Sequence, residues 1–186
     1  MNEKIDYTLI RSDRKTISIS VTSDGLIVRA PRTARIAEIN RILSEKSAWI
    51  RKHLKQAEEL SAVKDAVPKL TADELALLKK KATAIIPERL RHYAPLIGVS
   101  YGKVSIRCQH TRWGSCSSKG DLNFNCLLML VPPAVLDSVV VHELCHRKYM
   151  DHSDRFYAEV LRVFPEYFEC HHWLKTNGPL LLAKIE

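Results

Sequence analysis

The chain has 186 residues, 46% of them hydrophobic, with 29 lysines and arginines against 21 acidic residues, a formal net charge of +8. That apolar content can bury a core as one domain or two small units, while no run nears the ~18 apolar residues that suggest a membrane span. The start, Met-Asn-Glu-Lys-Ile-Asp, has no apolar stretch of a secretory signal, and five cysteines without a Cys-x-x-Cys pair argue against a zinc ribbon and read as reduced thiols of a cytoplasmic protein. Residues 5–10, 15–21 and 25–30 alternate or run β-branched, with turns at Arg11-Ser12-Asp13-Arg14 and Asp24-Gly25, which predicts a three-stranded meander. Pro31 ends it. A helix is expected from about Ala34 to Leu60, with Ile36, Ile39, Leu43, Trp49, Ile50 and Leu54 on its apolar side. Residues 61–70 read as a linker, so the expected organisation is an N-terminal β-meander plus helix unit over 1–70 and a second domain over 71–186. Thr71-Ala72-Asp73-Glu74 has the pattern of a capping box, opening a helix to about Leu96 in which Pro87 predicts a kink or break near Ile86. Two strands follow, at roughly 102–108 and 121–129. In the second, Leu122, Phe124, Cys126 and Leu128 alternate with Asp121, Asn123, Asn125 and Leu127, as in a strand with one buried face.

The positive excess is uneven. Residues 1–100 hold 19 basic against 12 acidic residues, and the rest hold 10 against 9. Arg51-Lys52 and Lys79-Lys80-Lys81 could hold a nucleic acid through phosphate contacts, or simply be solvated helix faces.

The most informative stretch is His142-Glu143-Leu144-Cys145-His146, with another histidine at 152. Pro132-Pro133 and the run from Ala134 to Val141 read as the first turns of the same helix. On that helix His142 and His146 stand one above the other, in line with Val135 and Val139, and so point inward with the apolar stripe. Two imidazoles so placed can share a metal ion, and Zn²⁺ takes imidazole nitrogen readily. Glu143 lies about 100° round the helix, where it can stand beside a metal as a general base. If the helix ends near Tyr149 or Met150, and Asp151 or Ser153 caps the next, the reversal brings His152 back as third ligand. A glutamate from the following segment (Glu159, Glu166 or Glu169) is the rival. Three protein ligands leave a position open for chemistry. The adjacent pair His171-His172 reads as surface or partly packed.

Arg112-Trp113-Gly114-Ser115-Cys116-Ser117-Ser118-Lys119-Gly120, then Asp121-Leu122-Asn123-Phe124-Asn125, then the histidine motif with His152-Ser153 and Phe156, together resemble the YgjP-like metallopeptidase domain family. The resemblance implies an α+β, zincin-like fold related to SprT-like and Wss1-like metalloproteases. It also implies Zn²⁺ on His142, His146 and His152, Glu143 as base, and a peptide or protein substrate. By the same resemblance residues 121–127 are expected as an edge strand that pairs with extended substrate, which brings in Asn123 and Asn125. Arg112, Tyr149 and Tyr157 are the candidates for a second donor to a developing oxyanion, and Arg112 could equally be a structural cation pinning its loop. The same metal and base could instead hydrolyse a nucleoside triphosphate, with Arg112, Arg147 and Lys148 as phosphate clamps. A nucleic-acid-associated binding module is a third reading.

Overall fold

The structure is a computed structural model that describes residues 6–22 and 25–185. Residues 1–5 and Asp24, and with them the first residue of the expected first strand and half of the expected Asp24-Gly25 turn, lie outside the described residues. The chain divides into two compact units, Met1–Ala66 and Val67–Glu186.

The first unit holds β1 (Thr8–Ser12), β2 (Ser18–Thr22), β3 (Gly25–Pro31), α1 (Ile36–Glu45) and α2 (Ser47–Asp65). Its sheet has three strands, but in the order β1-β3-β2 and not as a meander. β3 is parallel to β1, with Thr8 opposite Ile27, and antiparallel to β2, with Ile19 opposite Val28. Burial explains the order. Leu26, Val28 and Ala30 make β3 the most deeply buried strand, so it takes the centre, whereas β1 alternates exposed and half-buried positions that suit an edge. Arg11 then locks the parallel pair: its Nη1 donates to the carbonyls of Pro31, Arg32 and Ala34 at 2.9–3.0 Å. The single long helix is also corrected, because Lys46 breaks it with φ −99° and ψ 10°. Ile39 and Leu43 of α1 and Ile50 of α2 all join the core of Leu26, Val28 and Ala30. A straight helix rising ~1.5 Å per residue would carry Ile50 beyond strands this short.

The second unit opens with α3 (Ala72–Ile97), capped by the expected box: Thr71 Oγ1 accepts from the Glu74 N–H at 3.3 Å, and Glu74 Oε2 accepts from the Thr71 N–H at 2.8 Å. No break occurs at Ile86; the helix runs through Pro87 to Gly98. Ala82, Ile86, Leu90, Tyr93 and Ile97 are all buried in the main core, and that packing outweighs one lost backbone bond. β4 (Val104–Arg107), β5 (Gly114–Cys116) and β6 (Leu122–Asn125) form a second sheet in the order β4-β6-β5. β6 is therefore the central strand, parallel to β4 and antiparallel to β5, and the chain beyond it, Cys126–Leu130, turns into a 3₁₀ helix where the alternation had suggested more strand.

α4 (Pro133–Cys145), α5 (Asp154–Val163) and α6 (Tyr167–Leu182) complete the unit. α4 is buried at ten of its positions, including the charged Asp137, and packs against α3, α5, α6 and β5. Asp137 is held by the Arg89 guanidinium, itself partly exposed, and by the Tyr93 hydroxyl at 3.1 Å, contacts that tie α4 to α3. Among the described residues, no helix is long and apolar enough to cross a membrane.

Candidate metal centre

α4 ends at Cys145, one turn sooner than its sequence suggests, with His146 in the capping position. His142 and His146 still stand one above the other, their Nε2 atoms 3.2 Å apart. After the turn, Asp151 Oδ1 accepts from the Ser153 N–H at 3.3 Å and the Ser153 hydroxyl at 2.7 Å. That bracket bends the chain around His152 and brings its Nε2 to 3.2 Å from His142 Nε2. Asp151 thus closes the turn, and the Ser153 side chain makes no capping bond to α5. The three donor atoms lie within 4.8 Å of one another. With metal–nitrogen bonds of ~2.0–2.1 Å, tetrahedral geometry separates two ligand nitrogens by about 3.3 Å. The two spacings from His142 fit that value. Phe156, fully buried, backs the group, its ring centroid 4.6–5.0 Å from all three imidazoles.

The outer ring nitrogens are also engaged. His146 Nδ1 donates to the Tyr149 carbonyl at 3.0 Å, which leaves its Nε2 lone pair facing the cluster. Burial pushes His142 down to about 3, helped by His146 and His152, and burial likewise lowers His146. Neutral imidazoles with free lone pairs are what a metal needs. His142 Nδ1 hydrogen-bonds the Tyr167 hydroxyl at 2.8 Å, a contact 25 residues away in sequence that no spacing announces. Tyr167→Phe keeps the buried ring and loses this bond. We expect metal affinity to fall ~10- to 100-fold with little change in melting temperature, read by competition with a chromogenic chelator. Unchanged affinity would make Tyr167 a packing residue only.

Glu143, 6% exposed, lies against β5. A Cβ on Gly114 would fall 2.6 Å from Glu143 Oε1, so the backbone of β5 lies directly on the carboxyl and only glycine allows it. Burial pushes Glu143 up to about 8. Arg112, Trp113, Gly114, His142, Glu143 and Tyr167 line one cleft of about 260 Å³. The arginine-tryptophan-glycine block and the histidine motif thus meet at one site.

Other residues singled out in the sequence fare differently. Asn125 is fully buried: its Nδ2 donates to the carbonyls of Gln109 and Arg112, and its Oδ1 caps Leu127. Asn123 is held between Arg107 and Ser115. Both serve the sheet, and because β6 is paired on both sides the edges of this sheet are β4 and β5, the latter a strand of three residues and too short to show a period. Tyr149 contributes its carbonyl to His146, and the Tyr157 ring lies 6.2 Å from that of His152. His171, exposed, reaches the cleft wall beside Tyr167. Arg147 Nε donates to the Ser100 carbonyl, and Lys148 is paired with Glu159 at 2.7 Å. Of the three expected cations only Arg112 borders the cleft. Arg51 and Lys52 belong to the first unit and Lys79 to Lys81 to the second.

Glu159 lies outside the histidine group and binds Lys148 and Arg162. Arg162, then Lys148, hold its carboxyl down to about 2. A folded value below the unfolded ~4.3 contributes stability above that unfolded value and loses it as pH falls through the folded one. Glu159→Gln should therefore cost about 1–2 kcal/mol at neutral pH, reduced from the full shift because both cations are partly exposed. Urea unfolding should show the gap closing between pH ~4.5 and ~2; a gap that persists to the acid end would mean packing, not charge, sets it.

The family model of the YgjP-like metallopeptidase domain matches residues 15–74 and 68–177. Among solved structures, the metallopeptidase zymogen abylysin of Pyrococcus abyssi is 25% identical, covering 50% of this chain and 94% of its own, with a TM-score of 0.46. The metallopeptidase zymogen jannalysin of Methanocaldococcus jannaschii is 18% identical, covering 50% and 95%, with a TM-score of 0.45. No curated protein matches the chain. The match runs through both units and takes in the arginine-tryptophan-glycine block and the three histidines, and the chain belongs to the YgjP-like metallopeptidase domain family.

Proposed function

We propose that the second unit is a zinc-dependent peptidase in which His142, His146 and His152 hold the metal and Glu143 is the general base. The observation that carries this reading is the convergence of three Nε2 atoms, two of them 3.2 Å from the third, in α4 and the turn beyond it, with the Glu143 carboxyl in the same cleft as His142. Zinc bound there would act as a Lewis acid, acidifying water and polarising the scissile carbonyl. Glu143 takes the proton of the attacking water and passes it to the leaving amine, and its burial favours holding that proton in between. Among the described residues β5 pairs only with β6, which leaves its other edge for an extended peptide beside Glu143. Arg112 stands on the cleft wall to meet charge developing on the carbonyl oxygen.

The engagement of Arg147 and Lys148 elsewhere favours a peptide over a phosphoanhydride, whose charge needs several cations together. Zinc-loaded protein offered an unstructured peptide pool and nucleoside triphosphates side by side should cleave the peptides and spare the triphosphates, with a chelator stopping cleavage. Triphosphate turnover without new peptide termini would reverse the assignment.

A further inference from the structure

Where β4 and β6 end, two thiols meet. Cys108 follows β4 and Cys126 follows β6, each one residue beyond the last register pair, Arg107 opposite Asn125. Their sulfurs are 2.8 Å apart although the residues are 18 apart in sequence. Neighbouring strands ~4.8 Å apart put paired residues within the Cα range that a disulfide spans. The two cysteines are unequal. Cys126 is fully buried among Leu78, Leu127 and Ile185, whereas Cys108 is half-exposed and opens onto two surface depressions, one with Lys79 and Arg107, the other with His110 and Arg112. The loop between them matters: the carbonyls of Gln109 and Arg112 are both held by Asn125, the residue before Cys126, and the loop leads into the cleft wall.

We infer that Cys108 and Cys126 form a reversible dithiol–disulfide site, oxidised by hydrogen peroxide, which staples β4 to β6 at the root of the Gln109–Arg112 loop. Cys108 is the sulfur a peroxide reaches first. Its sulfur attacks one peroxide oxygen, the S–O bond forms as the O–O bond breaks, and hydroxide leaves to be protonated to water. The Cys126 sulfur then attacks Cys108, the S–S bond forms as S–O breaks, and the Cys126 proton leaves with the second water. Two thiols lose two electrons and one peroxide becomes two waters. Burial, with the Cys108 sulfur beside it, pushes the Cys126 thiol up to about 12, which keeps it from being the first target.

The experiment treats the full chain with hydrogen peroxide and follows it by intact mass, peptide mapping and melting. The inference requires loss of two hydrogens, a single linked peptide pair joining Cys108 to Cys126, reversal by dithiothreitol, and a melting temperature raised by about 5–10 °C in the linked form. Cys108→Ser, at a half-exposed position, should abolish the link with the fold intact, and Cys126→Ala should do the same. Addition of oxygen without a link, a link to Cys116, Cys145 or Cys170, or a linked form that melts no higher would overturn it.

Discussion

Replacing His142 or His146 with alanine will strip the protein of nearly all bound metal, weakening affinity by at least ~100-fold. Both imidazoles supply a nitrogen at 3.2 Å from a second one, and two ligands cannot fix a tetrahedral ion. His152→Ala will weaken binding severely too, although His152 is exposed and its loss costs the core nothing. Metal content after dialysis, alongside circular dichroism, separates the outcomes: retained fold with lost metal is expected for all three. Full occupancy in His152→Ala would move the third ligand elsewhere. Glu159, saturated by Lys148 and Arg162, is poorly placed to replace it.

Glu143→Gln will keep metal and fold while reducing peptide hydrolysis by at least ~10²-fold. The amide is nearly isosteric with the carboxyl that lies against Gly114, but it cannot take a proton from water. Burial disfavours the charged carboxylate, and the neutral amide escapes that penalty. The metal-free variant should therefore melt no lower than its parent even as activity disappears. Residual activity near the parent's, once contaminating parent protein is excluded, would remove Glu143 from the mechanism.

The histidine cluster of α4 and the turn beyond it was readable in advance because its information is local. A four-residue step fixes two side chains on one helical face whatever surrounds them, and Asp151 with Ser153 signals the turn that returns His152. The capping box at Thr71 is legible for the same reason. What escaped depends on partners distant in the chain. Tyr167 reaches His142 from another helix, Arg89 meets Asp137 across α3 and α4, and Arg11 ties β1 to the exit of β3, none leaving a periodic trace. Alternation in β6 shows which face is buried, not which edges are occupied, so its central place was invisible and Asn125 looked available when it is fully enclosed. Pro87 misled in the opposite sense, since a local rule predicted a break that core packing overrides. Gly114 is the subtler case. Its neighbours are recognisable as a block, but its purpose, close approach to a carboxyl on α4, exists only once the sheet is laid on the helix.

X-ray absorption at the zinc edge of the zinc-loaded protein tests the centre most directly. Three imidazole ligands at ~2.0–2.1 Å are the predicted result. A sulfur shell near ~2.3 Å, drawing in Cys145 or Cys116, or fewer than three imidazoles on the ion, would contradict the three-histidine centre.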